Sequence, residues 1–153
     1  MPYFAAALAQ QDDEWRGVEL DLDGVDSLEQ LVQRAAEELE AERVCVLIEA
    51  DDWFGIAELA EDEEPRAYVS DAFEAAATAI GEMLVSEFGE IDEDEEEPEV
   101  PSGPLGESGL LSELGLAATD LELIATKTGL TPLDAVGEIA DRIGAGAALE
   151  DMR

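Results

Sequence analysis

The sequence predicts an α+β fold: a mainly antiparallel sheet in the order β-β-α-β-β-β-α with two helices on one face, then an acidic linker and a small C-terminal helical unit. Three observations lead there. Residues 44–48, Val-Cys-Val-Leu-Ile, form an unbroken apolar run, as in a central strand covered on both faces. Segments 28–39 and 72–88 carry apolar residues at helical spacing behind good N-cap residues. Residues 90–99 hold eight acids and no base, a composition that self-repels and stays extended.

The elements follow in order. Pro2 to Ala9 is a short apolar run opening on Tyr3 and Phe4; its alanines suit a helix, but its length and the polar turn Gln10–Asp13 favour a strand. Glu14 to Leu22 alternates Trp15, Val18, Leu20 and Leu22 with charges, so the pair predicts a hairpin with one wet face. Ser27 with Gln30 three residues on is a capping-box pattern, and Leu28, Leu31, Val32, Ala35, Ala36 and Leu39 place a helix to about Glu42. The central strand comes next. Asp51-Asp52 marks a turn, Trp53–Leu59 a second strand, and Ala67–Val69 a third after the acidic loop closed by Pro65. Ser70 or Asp71 caps a helix predicted to run unbroken to about Phe88, with Phe73, Ala76, Ala77, Ile80, Met83, Leu84 and Phe88 on its apolar stripe.

The C-terminal part is well punctuated. A short helical turn, Gly109–Leu114, ends at Gly115. Thr119 with Glu122 reads as a capping box for a helix through Leu121, Leu123, Ile124 and Ala125. Thr131-Pro132 reads as an N-cap with proline in the first turn, Leu133, Val136, Ile139, Ala140 and Ile143 as the stripe, and Gly144 as the stop. The division expected is 1–89, 90–106 and 107–153. The last unit is too small for an independent core of its own, so it docks on the first domain or on a partner.

Charge excludes whole classes of partner. The 153 residues carry 41 acids and 7 bases, a net −34. Nucleic-acid binding needs cations that replace counterions, and an anionic membrane repels such a surface for the same reason. A basic protein is attracted and its encounter accelerated; the competing reading is that acidity serves solubility alone. No apolar run approaches the ~20 residues of a membrane span, and the first residues lack a basic signal-peptide region, so a cytoplasmic setting is expected.

Composition also limits chemistry. There is no histidine, which removes imidazole bases, Ser-His triads and His-metal sites together. One cysteine, Cys45, builds neither a disulfide nor a zinc site, and its place in an apolar strand marks it as a small hydrophobe rather than a nucleophile. Glu19 to Asp26 has the look of a calcium loop, but Gln30 stands where the bidentate glutamate belongs. Acid pairs such as Asp51-Asp52 arise by chance among 41 acids. The Gly129–Thr131 turn has helix-turn-helix spacing, yet Arg142 is the sole base of the helix after it. No catalytic residue, cofactor or metal is therefore expected, and the sharpest candidate for partner binding is the acidic run Glu90, Asp92, Glu93, Asp94, Glu95, Glu96 and Glu97.

The stretches PYFAAALAQQDDEWRGVELDLD, EADDWFGIAEL, EEPRAYVSD and LLSELGL with GLTPLDAVGEIADRIG together resemble the tRNA adenosine deaminase-associated proteins of actinobacteria, over roughly Pro2–Phe88 and Leu105–Ile143. The resemblance implies association with a tRNA-editing deaminase. It does not imply deaminase activity, because the H-x-E and P-C-x-x-C zinc motifs are missing. The expectation is a non-catalytic accessory protein for a basic partner, with that deaminase as the candidate the resemblance implies. The rival is a self-associating structural module.

Overall fold

The structure, a computed structural model, describes residues 4–11, 14–20, 24–25, 27–41, 43–50, 53–59, 65–86, 104–106, 108–126 and 131–151. Among the described residues, six strands form one antiparallel sheet in the order β2-β1-β3-β4-β5-β6. They are β1 (Phe4–Gln11), β2 (Glu14–Glu19), β3 (Val44–Glu49), β4 (Phe54–Leu59), β5 (Arg66–Val69) and a two-residue β6 (Leu105–Gly106). The expected α+β class, strand order along the chain and central position of 44–48 are all found.

The two-residue period of a strand sorts side chains between the faces. Ala5, Ala7, Ala9, Val44, Val46, Ile48, Ala57, Ala67 and Val69 point to one face, where they pack with α1 (Leu28–Leu39), α2 (Ala72–Ala76) and α3 (Ala79–Ser86). Ala6, Leu8, Cys45, Leu47, Phe54, Ile56 and Tyr68 point to the other. That face is covered by the 3-10 helix Ser108–Leu114, α4 (Ala118–Thr126), α5 (Pro132–Ile143) and α6 (Gly146–Asp151). The first hairpin thus has no wet face at β1, whose Ala5 to Ala9 are all buried; the wet side is confined to the edge strand β2.

Caps fix the helix boundaries. Ser27 Oγ accepts from the Gln30 N–H at 3.2 Å and starts α1. The helix stops at Glu40, which takes a left-handed φ of 52°. Thr131 Oγ1 accepts from the Asp134 N–H at 3.2 Å, Pro132 opens α5, and Gly144 at φ 90° closes it, all as the sequence predicts.

The helix expected to run from residue 72 to 88 is instead broken after Ala76. Thr78 makes the corner: its hydroxyl donates to the Ala75 carbonyl at 2.9 Å and accepts from the Gly81 N–H at 3.1 Å. Gly81 passes so close that a Cβ there would overlap the Ala75 carbonyl. Before the break, α2 turns Ala72 and Ala75 to the core, so Phe73, expected in the stripe, is 60% exposed. Phe88 lies outside the described residues. Thr119 is no N-cap either, because α4 already begins at Ala118, with the Leu121 N–H donating to the Ala117 carbonyl at 3.0 Å. Leu123 and Leu133 leave their predicted stripes for the surface.

Candidate functional site

Two places, one on the second face of the sheet and one where the two covers meet at its end, hold more than packing. The first follows from strand register. Cys45 of β3 stands opposite Glu58 of β4, and Glu58 opposite Arg66 of β5, so the three side chains form a row on one face. Glu58 is 1% exposed. Its Oε1 accepts from Arg66 Nη2 at 2.9 Å and lies 3.6 Å from Arg43 Nη2. A carboxylate this deep is stable only with such partners, since an uncompensated charge in the interior costs several kcal/mol.

Arg66 reaches further. Its Nη2 also lies within 3.5 Å of the Leu110 carbonyl, tying the 3-10 helix to the sheet through the buried carboxylate. Beside the row is a cavity of about 210 Å³ lined by Trp15, Arg43, Cys45, Glu58 and Leu114, among others. Burial pushes the Cys45 thiol up, the Glu58 charge pushes it further, and Arg43 opposes both. The thiol is therefore protonated near neutrality, which makes it a poor nucleophile and bears out its reading as a small buried hydrophobe. Tyr68, two strands over in β5, is likewise raised by burial first and by the Glu122 carboxylate second. Its hydroxyl has no hydrogen-bond partner among the described residues.

The second place lies where β4 begins and β5 ends. Here a cavity of about 340 Å³ is lined by Trp53, Phe54, Ser70, Asp71, Pro104 and residues of α4 and α5. Ser70 Oγ accepts from the Phe54 N–H at 2.9 Å, and Asp71 caps α2 by accepting from the Phe73 N–H at 3.1 Å, so the wall of the cavity is fixed by its own hydrogen bonds.

Among the described residues no group of three or more Asp, Glu, Cys or His side chains could hold a metal ion, and no helix is long and apolar enough to cross a membrane. The acids expected to bind a partner, Glu90, Asp92, Glu93, Asp94, Glu95, Glu96 and Glu97, lie outside the described residues. Sequence reasoning missed the Glu58 row. The signal was there: in Trp53–Leu59 the alternation that buries Phe54 and Ile56 buries Glu58 with them, and a buried carboxylate calls for a nearby base.

A family model for Rv3753c-like tRNA adenosine deaminase-associated proteins matches residues 3–146. The chain belongs to that family. No curated protein and no solved structure matches it. For a deaminase-associated protein the match is informative in its extent: it takes in both faces of the sheet, including the Glu58 row and the cavity at Trp53, as far as the start of α6.

Proposed function

We propose that this deaminase-associated chain is a non-catalytic accessory protein of the cytoplasm that binds a tRNA adenosine deaminase and modulates it. The observation that carries the reading is the family match joined to a net charge of −34. An enzyme that acts on tRNA presents a basic surface to the phosphate backbone, and an acidic protein is drawn to the same surface. The acids Glu90, Asp92, Glu93, Asp94, Glu95, Glu96 and Glu97 supply seven charges in eight residues toward such a contact. Catalysis by the chain itself has little support in its composition, with no histidine and one cysteine, Cys45, held as a protonated thiol.

The test is size-exclusion chromatography with light scattering on this protein mixed with the deaminase of the same organism. A complex is expected at low ionic strength that weakens as salt rises. No complex at either salt overturns the reading. A homo-oligomer that forms without the deaminase, and takes none up, transfers the case to the self-associating alternative.

A further inference from the structure

We infer that the cavity beside Trp53 is a docking site for a basic amphipathic helix of a partner protein. The inference deepens the accessory reading above and rests on it for the partner's identity, though not for the surface.

The described residues include three exposed large hydrophobic side chains: Phe73 at 60%, Leu123 at 66% and Leu133 at 47%. All three adjoin this one cavity along the chain. Phe73 stands two residues after Asp71, Leu123 directly before Ile124, and Leu133 directly after Pro132, and each of those neighbours lines the wall. Isolated exposed apolar residues need no explanation, but three whose chain neighbours all line one concavity point to an interaction surface at its rim. At about 340 Å³ the concavity is at the small end of pockets that seat an anchoring group.

Charge selects the occupant. Each exposed hydrophobe has an acid next to it in the chain: Glu74 beside Phe73, Glu122 beside Leu123, and Asp134 beside Leu133. Asp71 lines the wall itself. Segments 71–76, 118–126 and 131–135 contain five acids and no base. Apolar anchors each with a carboxylate next to it in the chain, beside a wall that carries Asp71, complement a helix with an apolar stripe flanked by Lys and Arg, the helix-in-groove mode of recognition. The same acids repel RNA phosphates and anionic lipid headgroups.

The experiment uses the full chain and two ligands. One is a labelled synthetic helical peptide with Leu at i, i+3, i+4 and i+7 and Lys or Arg elsewhere, followed by fluorescence anisotropy. The other is the purified deaminase. The test variant is Phe73→Ser, Leu123→Ser, Leu133→Ser, whose exposed positions leave the core intact; circular dichroism and Tm verify this. The control is Glu37→Gln, Glu38→Gln, which removes two charges from exposed positions of α1 on the other side of the sheet. The serine variant is expected to bind both ligands at least tenfold more weakly, and the control to stay within twofold of the wild type. Peptide binding that survives the serine changes, or falls equally in the control, overturns the site. Deaminase binding unchanged by the serine changes overturns the site as the deaminase's dock while leaving the accessory reading intact. If the deaminase binds no variant but the peptide responds as expected, the accessory reading falls and the site stands for another basic partner.

Discussion

The two faces of the sheet are made from different parts of the chain and in different materials. The first is covered by α1, α2 and α3, all drawn from residues 28–86, and its buried side chains are apolar. The second is covered by residues 108–151 and includes Glu58, Cys45 and Tyr68 among its buried groups. The first is a locally closed packing problem. The second is solved by sequence-distant elements, and there the structure holds a buried ion cluster, the cavity beside it and the exposed hydrophobes Leu123 and Leu133, while the cavity at Trp53 is lined from both covers. Polar and concave features gather where the cover comes from afar.

The strongest way to break this contrast is to delete residues 104–153. That uncovers Leu8, Leu47, Phe54, Ile56 and Tyr68, each 3% exposed or less. Each large side chain contributes about 1.5–3 kcal/mol on burial, and five together match a typical domain stability of about 5–15 kcal/mol. The truncated chain is expected to lose its cooperative thermal transition and to bind a hydrophobic dye. A monomeric fragment that melts cooperatively would establish residues 1–89 as a self-standing domain and the second cover as an addition.

A smaller effect separates ions from packing. Glu58→Ala strands Arg66 and Arg43 against a cavity, and urea denaturation should report a loss of about 3 kcal/mol, at the lower end for a buried pair because both arginines reach solvent. A loss below about 1 kcal/mol would show that the row behaves as a surface pair.

The smallest effect is in pH. Cys45 and Tyr68 both have native pKa values raised above their unfolded ones. The native state therefore keeps protons that the unfolded chain releases. Stability is full below the unfolded values of roughly 8.5 and 10 and falls as pH rises through them, by at most about 1.4 kcal/mol per pH unit for each group. Urea titrations from pH 7.5 to 10.5 test this, and Cys45→Ala should flatten the first part of the decline.

Much of this was readable from the residues. The unbroken run 44–48 required cover on both sides, while the helices before residue 89 were placed on one side. Those two readings left the second face to residues after 106 or to a partner, and it is the 3-10 helix, α4 and α5 that sit there. Caps that rest on a single side-chain bond, at Ser27 and Thr131, were legible because the chemistry is local. The break at Thr78 was not, because it depends on how closely Gly81 passes Ala75, a tertiary distance that no spacing encodes. Phe73, Leu123 and Leu133 were misplaced for a related reason: a helix of five to twelve residues fits more than one phase, and only the packing partner selects among them.

The order in which the sheet is covered has a consequence in time. Strand β5 ends at Val69, and Leu149, the last buried residue of the second cover among the described residues, is 80 positions later. At about 5–20 residues per second of synthesis, the interval is roughly 4–16 s. Through that window a nascent chain can close its first face but must hold Leu8, Leu47 and Ile56 in water. Residues 1–89 carry 24 acids and 4 bases, so neighbouring chains on one messenger meet as like-charged bodies while their apolar faces are open. The surface charge thereby guards the chain against its own copies before there is any partner to attract.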